Sequence, residues 1–404
     1  MWSNPAIYKK FQIALLLLFC TLLLSGCWNS RELDELGIAV AIGIDKNDND
    51  EYELTVQVIN PSEIATDAPT TRPPVSSYST TGKTLFEAFR KMTTKSPREM
   101  YLSQLRLLVF GTRIADDGIM QALDLLYRDH EYRTSFYVTV AKNASVQSLL
   151  SVITPYEKIP ANKIMNSIDS VEKNWGVSKS ESIDDVISTI RSTGESPVMS
   201  GILLEGDPKA GTNISNVENV DAPTKVEIDG LAVFNKDKLV GWLTENESKG
   251  YNYATGNVNS SIVTHPCEKD DGSLTIEVLR SQAATKVKMK NGKPVITIEI
   301  TTEGNIGDVD CDIDLSSPDT LKKISKEAEQ DIKHMVQKTI SVTQNKYDSD
   351  IFGFGSLIHR KEPKYWKTVE NNWPEQYKDL EVQIKVKSKI RRKGKTTQPI
   401  DRKG

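Results

Sequence analysis

Two hydrophobic periods trade places along this chain. In EYELTVQVIN (51–60), Tyr52, Leu54, Val56 and Val58 alternate with Glu53, Thr55 and Gln57, which predicts a half-buried strand. The preceding LGIAVAIGIDK (36–46) is apolar on both faces, as a central strand is. The polar NDND between them makes the two a hairpin. Asp45, Asn47, Asn49 and Glu51 imitate a calcium loop, but Asp50 and Val56 stand where such a loop needs Gly and a bidentate Glu. Residues 61–80, rich in Pro, Ser and Thr, read as an irregular loop. The helical period then appears in GKTLFEAFRKM, where Leu85, Phe86, Phe89 and Met92 share a predicted face. LRLLVFG (105–111) and FYVTVA (136–141) are expected as buried strands. DDGIMQALDLLYRDHEYR reads as one helix opening with Asp116 and Asp117 at its positive end, and SVQSLLSVI as another. Ser182-Ile183-Asp184-Asp185 resembles a capping box ahead of VISTIRS, with Gly194 as its stop.

Beyond residue 195 the helical signals thin. GILLEG (201–206) predicts a strand, a polar loop fills 207–222, and KVEIDGLAVFN with KLVGWL forms a hairpin around Lys236-Asp237. GYNYATGNVNS (250–260) reads as a Gly/Asn-rich link. Three strand candidates follow: SIVTHPCE, SLTIEVLRSQAATKVKMK and PVITIEITTEGNI. Asn291-Gly292 joins the last two and is a strong hairpin signal. Ser317-Pro318 sets a cap and a first-turn proline for a long helix. Along it Leu321, Ile324, Ala328, Ile332, Met335, Thr339 and Thr343 recur every three or four residues. In the closing strand, LEVQIKVKSKI, Val382, Ile384 and Val386 face one way and Lys385, Lys387 and Lys389 the other. The expected fold class is α+β, an elongated chain of three mixed domains. These are an N-terminal α+β domain (27–195), a small β-rich middle domain (196–256), and a C-terminal domain of antiparallel strands with one long helix (257–392). A basic tail (393–404) ends the chain.

The N-terminus changes the picture. Lys9 and Lys10 precede FQIALLLLFCTLLL (11–24), too short for a spanning helix of ~20 apolar residues but right for a secretory h-region of ~7 to 15. Leu24-Ser25-Gly26-Cys27 then matches a lipobox. Residues 1–26 are therefore expected to be a lipoprotein signal peptide, and Cys27 the lipidation site that anchors the chain to the outer face of a membrane.

Composition excludes more than it assigns. A net charge of −4 with 26% charged residues carries no bias toward nucleic acid, and none is expected as a partner. Cys20 leaves with the signal peptide, so Cys267 and Cys311 form the candidate disulfide. A bridge is permitted outside the membrane, although an even count alone does not fix the pairing. The histidines at 130, 265, 334 and 359 are scattered, with no HExxH. No nucleophile elbow, SxxK or kinase signature occurs, and STTGKT lacks the first Gly of a phosphate loop, which would fall at Ser77. No catalytic activity, cofactor or metal is expected. The lysine row of the last strand has two readings: contact with lipid phosphates, or a solvated edge strand protected from aggregation, which is the plainer and preferred one.

One family resemblance gathers these features. Gly26-Cys27-Trp28-Asn29-Ser30-Arg31-Glu32-Leu33 resembles the GCW-x-x-[RK]-E-[LI] opening of the Ger(x)C family, the C-subunit lipoproteins of bacterial spore germinant receptors. The likeness continues through Leu123-Asp124-Leu125-Leu126-Tyr127-Arg128-Asp129 with Glu131-Tyr132-Arg133, then Gly230-Leu231-Ala232-Val233-Phe234, Gly241-Trp242-Leu243 and Glu247-Ser248. It closes with Asp350-Ile351-Phe352-Gly353-Phe354-Gly355, similar to D-x-[FIV]-G-[FL]-G, followed by Pro363, Tyr365 and Trp366. Many members carry a His near Gln104, which this chain lacks, and the cysteine pair is not a family hallmark. The resemblance implies a non-enzymatic subunit in the inner membrane of an endospore, partnered by a polytopic A subunit and a transporter-like B subunit and needed for germination in response to nutrients. Direct binding of a small-molecule germinant by this chain stays open. Two clusters are candidate docking or domain-joining surfaces: Arg128, Asp129, Glu131 and Arg133, and Phe352 and Phe354 with Trp366. The plainer reading of both is internal, as Arg–carboxylate pairs on a helix and as core aromatics beside turn glycines. A ligand-binding lipoprotein serving a membrane transporter is the rival function.

Overall fold

A computed structural model describes residues 5–23, 36–65, 72–128, 133–267, 272–310 and 312–392. Nine described strands build the first sheet: β1 (Leu36–Lys46), β2 (Tyr52–Ile59), β3 (Val75–Gly82), β4 (Glu99–Tyr101), β5 (Leu107–Phe110), β6 (Tyr137–Lys142), β7 (Val198–Gly206), β8 (Thr224–Asn235) and β9 (Lys238–Leu243). They lie in the order β3-β2-β1-β5-β6-β7-β8-β9, with β4 beside the start of β1. The middle of the sheet, β1-β5-β6-β7, is parallel and both wings are antiparallel. Parallel strands are buried on two faces, which is why β1, β5 and β6 read as continuous apolar runs. On one face Ile42, Ile44, Leu108 and Phe110 meet helices Leu85–Lys91, Met120–Arg128 and Ile183–Arg191. On the other, Val40, Leu107 and Val109 meet helices Val146–Ser151 and Pro160–Asn174.

The second sheet orders β10 (Ser261–Pro266), β11 (Ser273–Lys290), β12 (Lys293–Val309) and β13 (Glu381–Arg392). Asn291 and Gly292 make the tight β11–β12 turn with φ of 51° and 77°, as the Asn-Gly pair predicts. The first three strands are antiparallel, but β13 runs parallel to β12, because residues 312–380 cross back over the sheet before it. That crossover contains helix Pro318–Asn345, whose buried Ile324, Ala328, Ile332, Val336 and Ile340 follow the predicted stripe. Ile296, Ile298, Ile300 and Ile384 lie beneath it. The fold is α+β.

Several local expectations are corrected. Segment 196–256 does not form a sheet of its own: β7, β8 and β9 complete the N-terminal sheet. Residues 75–82 form β3 rather than loop, since Ser/Thr alternation against β2 serves as well as apolar alternation. The expected helix from Asp116 is two helices. Thr112–Asp117 ends there, and Gly118 at φ 130° breaks the chain before Met120–Arg128. Phe86 is exposed, and Leu85, Ala88 and Met92 carry that helix's buried face. The presumed link at 250–260 is mostly helix Glu245–Thr255, with Tyr251, Asn252, Tyr253 and Ala254 buried. Helix Pro5–Leu23 lies within the expected signal segment 1–26, and no helix among the described residues is long and apolar enough to cross a membrane. Cys27 and the basic tail 393–404 lie outside the described residues.

Candidate functional site

The two sheets meet at a seam centred on Asp350. Helix Pro318–Asn345 ends at Lys346, and the chain turns through Asp348 (φ 50°) into the segment Ser349–Gly355. Ser349 Oγ donates to the Phe234 carbonyl of β8 at 2.5 Å, and Ser196 N donates to the Asp350 carbonyl at 2.9 Å. Tyr347 Oη donates to the Trp242 carbonyl of β9 at 2.7 Å. Ile351 and Tyr347 enter a cluster with Val198, Leu231, Leu243 and Tyr251, which closes the end of the first sheet. The stretch from Tyr347 to Asp350 is thus tied to β8 and β9 by side-chain bonds and to Ser196, just before β7, by a backbone bond.

Asp350 organises the next turn of the chain. Its Oδ1 accepts from Phe352 N (3.2 Å) and Phe354 N (3.1 Å), and its Oδ2 from Gly355 N (2.8 Å) and Trp373 Nε1 (3.1 Å). A helix start leaves such amides without intrahelical partners and favours negative charge beside them; the helix beginning here is Phe354–Lys361. Burial works the other way. It pushes the Asp350 carboxyl up to about 7, with Glu195 adding to the push and the N–H donors opposing it. Gly353 supplies the left-handed turn at φ 69°. Gly355 is needed for a different reason: a Cβ there would sit 2.7 Å from Gly194 Cα and 2.7 Å from Trp373 Nε1. Two backbones therefore touch, and Ser356 N donates to the Gly194 carbonyl at 3.2 Å across the contact.

The aromatics run from this seam into the second core. Ring centroids step from Tyr251 to Phe352 (5.7 Å), Phe354 (5.1 Å) and Tyr377 (6.4 Å), and from Tyr377 to Trp373 (6.3 Å) and Trp366 (5.2 Å). Phe354 and Trp366 are buried and Phe352 half-buried. Beside them Lys179 pairs with Glu181 and donates to Tyr251 Oη at 3.1 Å. Lys249, also buried, lies 3.7 Å from the centre of the Trp175 ring and pairs with Glu245 at 3.0 Å. Thr339 Oγ1 donates to the Glu247 carbonyl, tying helix Glu245–Thr255 to the long helix.

The other sequence candidates lie elsewhere. Arg128 is exposed at the end of its helix and pairs with Asp124 at 2.7 Å; Arg133 is exposed too, while Asp129 and Glu131 lie outside the described residues. Cys267 is disulfide-bonded, and Cys311 lies outside the described residues. Pro266 pairs with Ser273, whose carbonyl accepts from Asp310 N, so the backbone brings Pro266 and Asp310 to the same end of β11. A cleft of about 270 Å³ opens beside the start of β1, with Asn60, Ser62, Glu63, Arg72, Ser96 and Arg98 among its lining. Among the described residues no group of three or more His, Cys, Asp or Glu could hold a metal ion.

Comparisons with known proteins converge. The family model described as "Spore germination protein N-terminal domain" matches residues 29–204, and "Spore germination B3/GerAC like, C-terminal" matches residues 229–394. Spore germination protein KC of Bacillus subtilis (strain 168) is 34% identical over 403 residues, covering 97% of this chain and 98% of that protein. Spore germination protein A3 of the same organism is 26% identical, covering 94% and 97%. The crystal structure of the GerBC protein has the same fold, with a TM-score of 0.52 at 18% identity, covering 86% of this chain and 96% of that one.

Proposed function

Because the chain belongs to the GerAC-like spore germination family, we propose that it is the C subunit of a nutrient germinant receptor. The observation that carries this reading is whole-length correspondence: 97% of this chain aligns with 98% of spore germination protein KC. The chain acts without catalysis, held by lipid on Cys27 at the outer face of the membrane, in the spore its inner membrane. It docks there on polytopic A and B partner subunits. The seam around Asp350 supports a scaffold role, since it welds two sheets into one block able to pass force or hold partners in register. Phe352, Phe354 and Trp366 join the domains. Arg128 and Arg133, exposed near the end of one helix, are the docking candidates.

The test is a strain lacking this chain. Its spores should lose refractility response to one germinant set, among single amino acids, sugars and salts, and keep the others. Cys27→Ala should remove the protein from the membrane fraction and reproduce the defect, and Arg128→Glu should leave folding intact and abolish assembly. An unchanged panel, with altered nutrient uptake during growth, would instead support a ligand-binding lipoprotein serving a transporter, with the cleft near Arg72 and Arg98 as its site.

A further inference from the structure

The second sheet has one covered face and one open face. The register places Ile296, Ile298, Ile300, Val382, Ile384 and Val386 toward the helices. On the opposite, open face stand Lys286, Lys288 and Lys290 of β11 and Lys385, Lys387 and Lys389 of β13, all exposed. Arg280, Lys293 and Arg391 share that face. Over residues 280–303 and 381–391 the opposing charges are Glu299, Glu303 and Glu381. Glu299 is engaged by Lys286 at 2.5 Å and Glu303 by Arg391 at 2.5 Å, which leaves Lys288, Lys290, Lys385, Lys387 and Lys389 without an ion pair among the described residues. The sequence after Arg392 adds Lys393, Lys395, Arg402 and Lys403 against Asp401.

We propose that this open face of the second sheet is a docking surface for an anionic lipid bilayer. Alternate residues on a strand stand roughly 7 Å apart, so each lysine lies within about one Debye length of the next along its own strand. With β12 between them, Lys286 stands opposite Thr297 and Lys385 opposite Glu299, so the β11 row and the β13 row follow one another diagonally along the same face. The uncharged groups between them are Gln282, Ala284, Val295, Thr297, Thr301 and Gln383, with no exposed aromatic. A specific protein partner needs an aromatic or Arg anchor, and the two arginines of this face, Arg280 and Arg391, both stand against Glu303, whereas a planar array of flexible ammonium groups suits a diffuse sheet of phosphates. A tether and a basic patch together are also the two signals that stable membrane residence requires. Gatekeeping of the sheet's edges is the competing explanation, and it demands no lipid binding at all.

The proposal takes its setting from the membrane-surface reading, so the assay omits the acyl chain and succeeds or fails independently of Cys27. Residues 28–404 suffice, because the buried residues among those described begin at Leu36. This chain should co-sediment with equimolar phosphatidylcholine–phosphatidylglycerol vesicles, not with phosphatidylcholine alone, and should be released by salt. Replacing the β11 lysines or the β13 lysines by Gln, three at a time, should weaken binding by about five-fold per lysine. Circular dichroism should show both triple variants folded, and all six replacements together should abolish binding. Absence of wild-type binding, equal binding to neutral vesicles, or unchanged binding by either folded triple variant would overturn the proposal.

Discussion

Asp350 sets two physical effects against each other, and its replacement separates them. Asp350→Ala strands three buried donors, Phe354 N, Gly355 N and Trp373 Nε1. At about 1–3 kcal/mol for each unsatisfied buried group, and with relief from burying the carboxyl offsetting part, a net loss on the order of 3 kcal/mol is expected. Asp350→Asn keeps one acceptor oxygen and should lose roughly half as much. The pH dependence is sharper. Burial raises the carboxyl from 3.8 to about 7, so the native state holds this proton more tightly than the unfolded chain does. The resulting stability is fully present below about pH 4 and is lost as pH rises through 7. Three units at about 1.4 kcal/mol each make it about 4 kcal/mol. Urea midpoints of wild type and Asp350→Asn, taken between pH 4 and 8, isolate that contribution from every other titrating group. The stability advantage of wild type over the variant should shrink as pH rises. An advantage that holds level or grows would mean the four N–H donors outweigh burial and the carboxylate is ionised throughout, which would refute the reasoning.

Other contacts yield further expected outcomes. Gly355→Ala should cost about 1–3 kcal/mol by overpacking, since the new methyl meets the Gly194 backbone, which has nowhere to go. Gly292→Ala, with nothing within 4 Å but φ 77°, should cost only about 1 kcal/mol through its left-handed conformation. Denaturant midpoints of the two variants measure the contrast. With Cys267 paired to Cys311, as we propose, the bridge closes a loop of about 45 residues, and Cys267→Ser should lower stability by about 4 kcal/mol. Equal midpoints for wild type and Cys267→Ser without reductant would remove the bridge as a stabiliser.

Legibility in the sequence followed the source of each element's stability. The β1–β2 hairpin, the β11–β12 hairpin and the long helix carry their instructions locally, in alternation, an Asn-Gly pair and a 3.6-residue stripe, and all three stand where expected. Helix Glu245–Thr255 does not. Its polar, Gly- and Asn-containing sequence becomes buried only because Asn252 donates to the Gly176 and Ser178 carbonyls and Thr339 bonds the Glu247 carbonyl. One local signal marks it, the capping box of Thr244 and Glu247. The short helices Phe354–Lys361, Pro363–Val369 and Trp373–Lys378 are set by tertiary packing around Trp366, Trp373 and Tyr377, too brief for a period to show. The aspartate at the centre of the seam is visible in sequence only as the first letter of a motif, because its meaning lies in four donors that the fold brings together.

The sheet order also makes a prediction about how the chain can be divided. The match to the N-terminal family model stops at residue 204, within β7, and the C-terminal match starts at residue 229, within β8. Yet β8 pairs with β7 along nearly its whole length, and Leu231, Ala232, Val233 and Phe234 are buried in cores that β1–β7 begin. The hairpin β8–β9 thus belongs to one unit by sequence family and completes the other by hydrogen bonding. A fragment ending at residue 204 would carry β7 as a bare edge with Val198, Met199 and Ile202 unprotected, an arrangement prone to aggregation. Residues 28–204 should therefore be insoluble when expressed alone, and extension to residue 243 should recover solubility by closing the edge. Removing the seam segment 346–355 from the complementary C-terminal fragment should leave β8 with the Phe234 carbonyl unbonded and should not permit reassembly in trans. A soluble, cooperatively unfolding 28–204 fragment would show instead that the first seven strands stand alone, and that the β8–β9 hairpin is an accessory rather than the clasp between the two sheets.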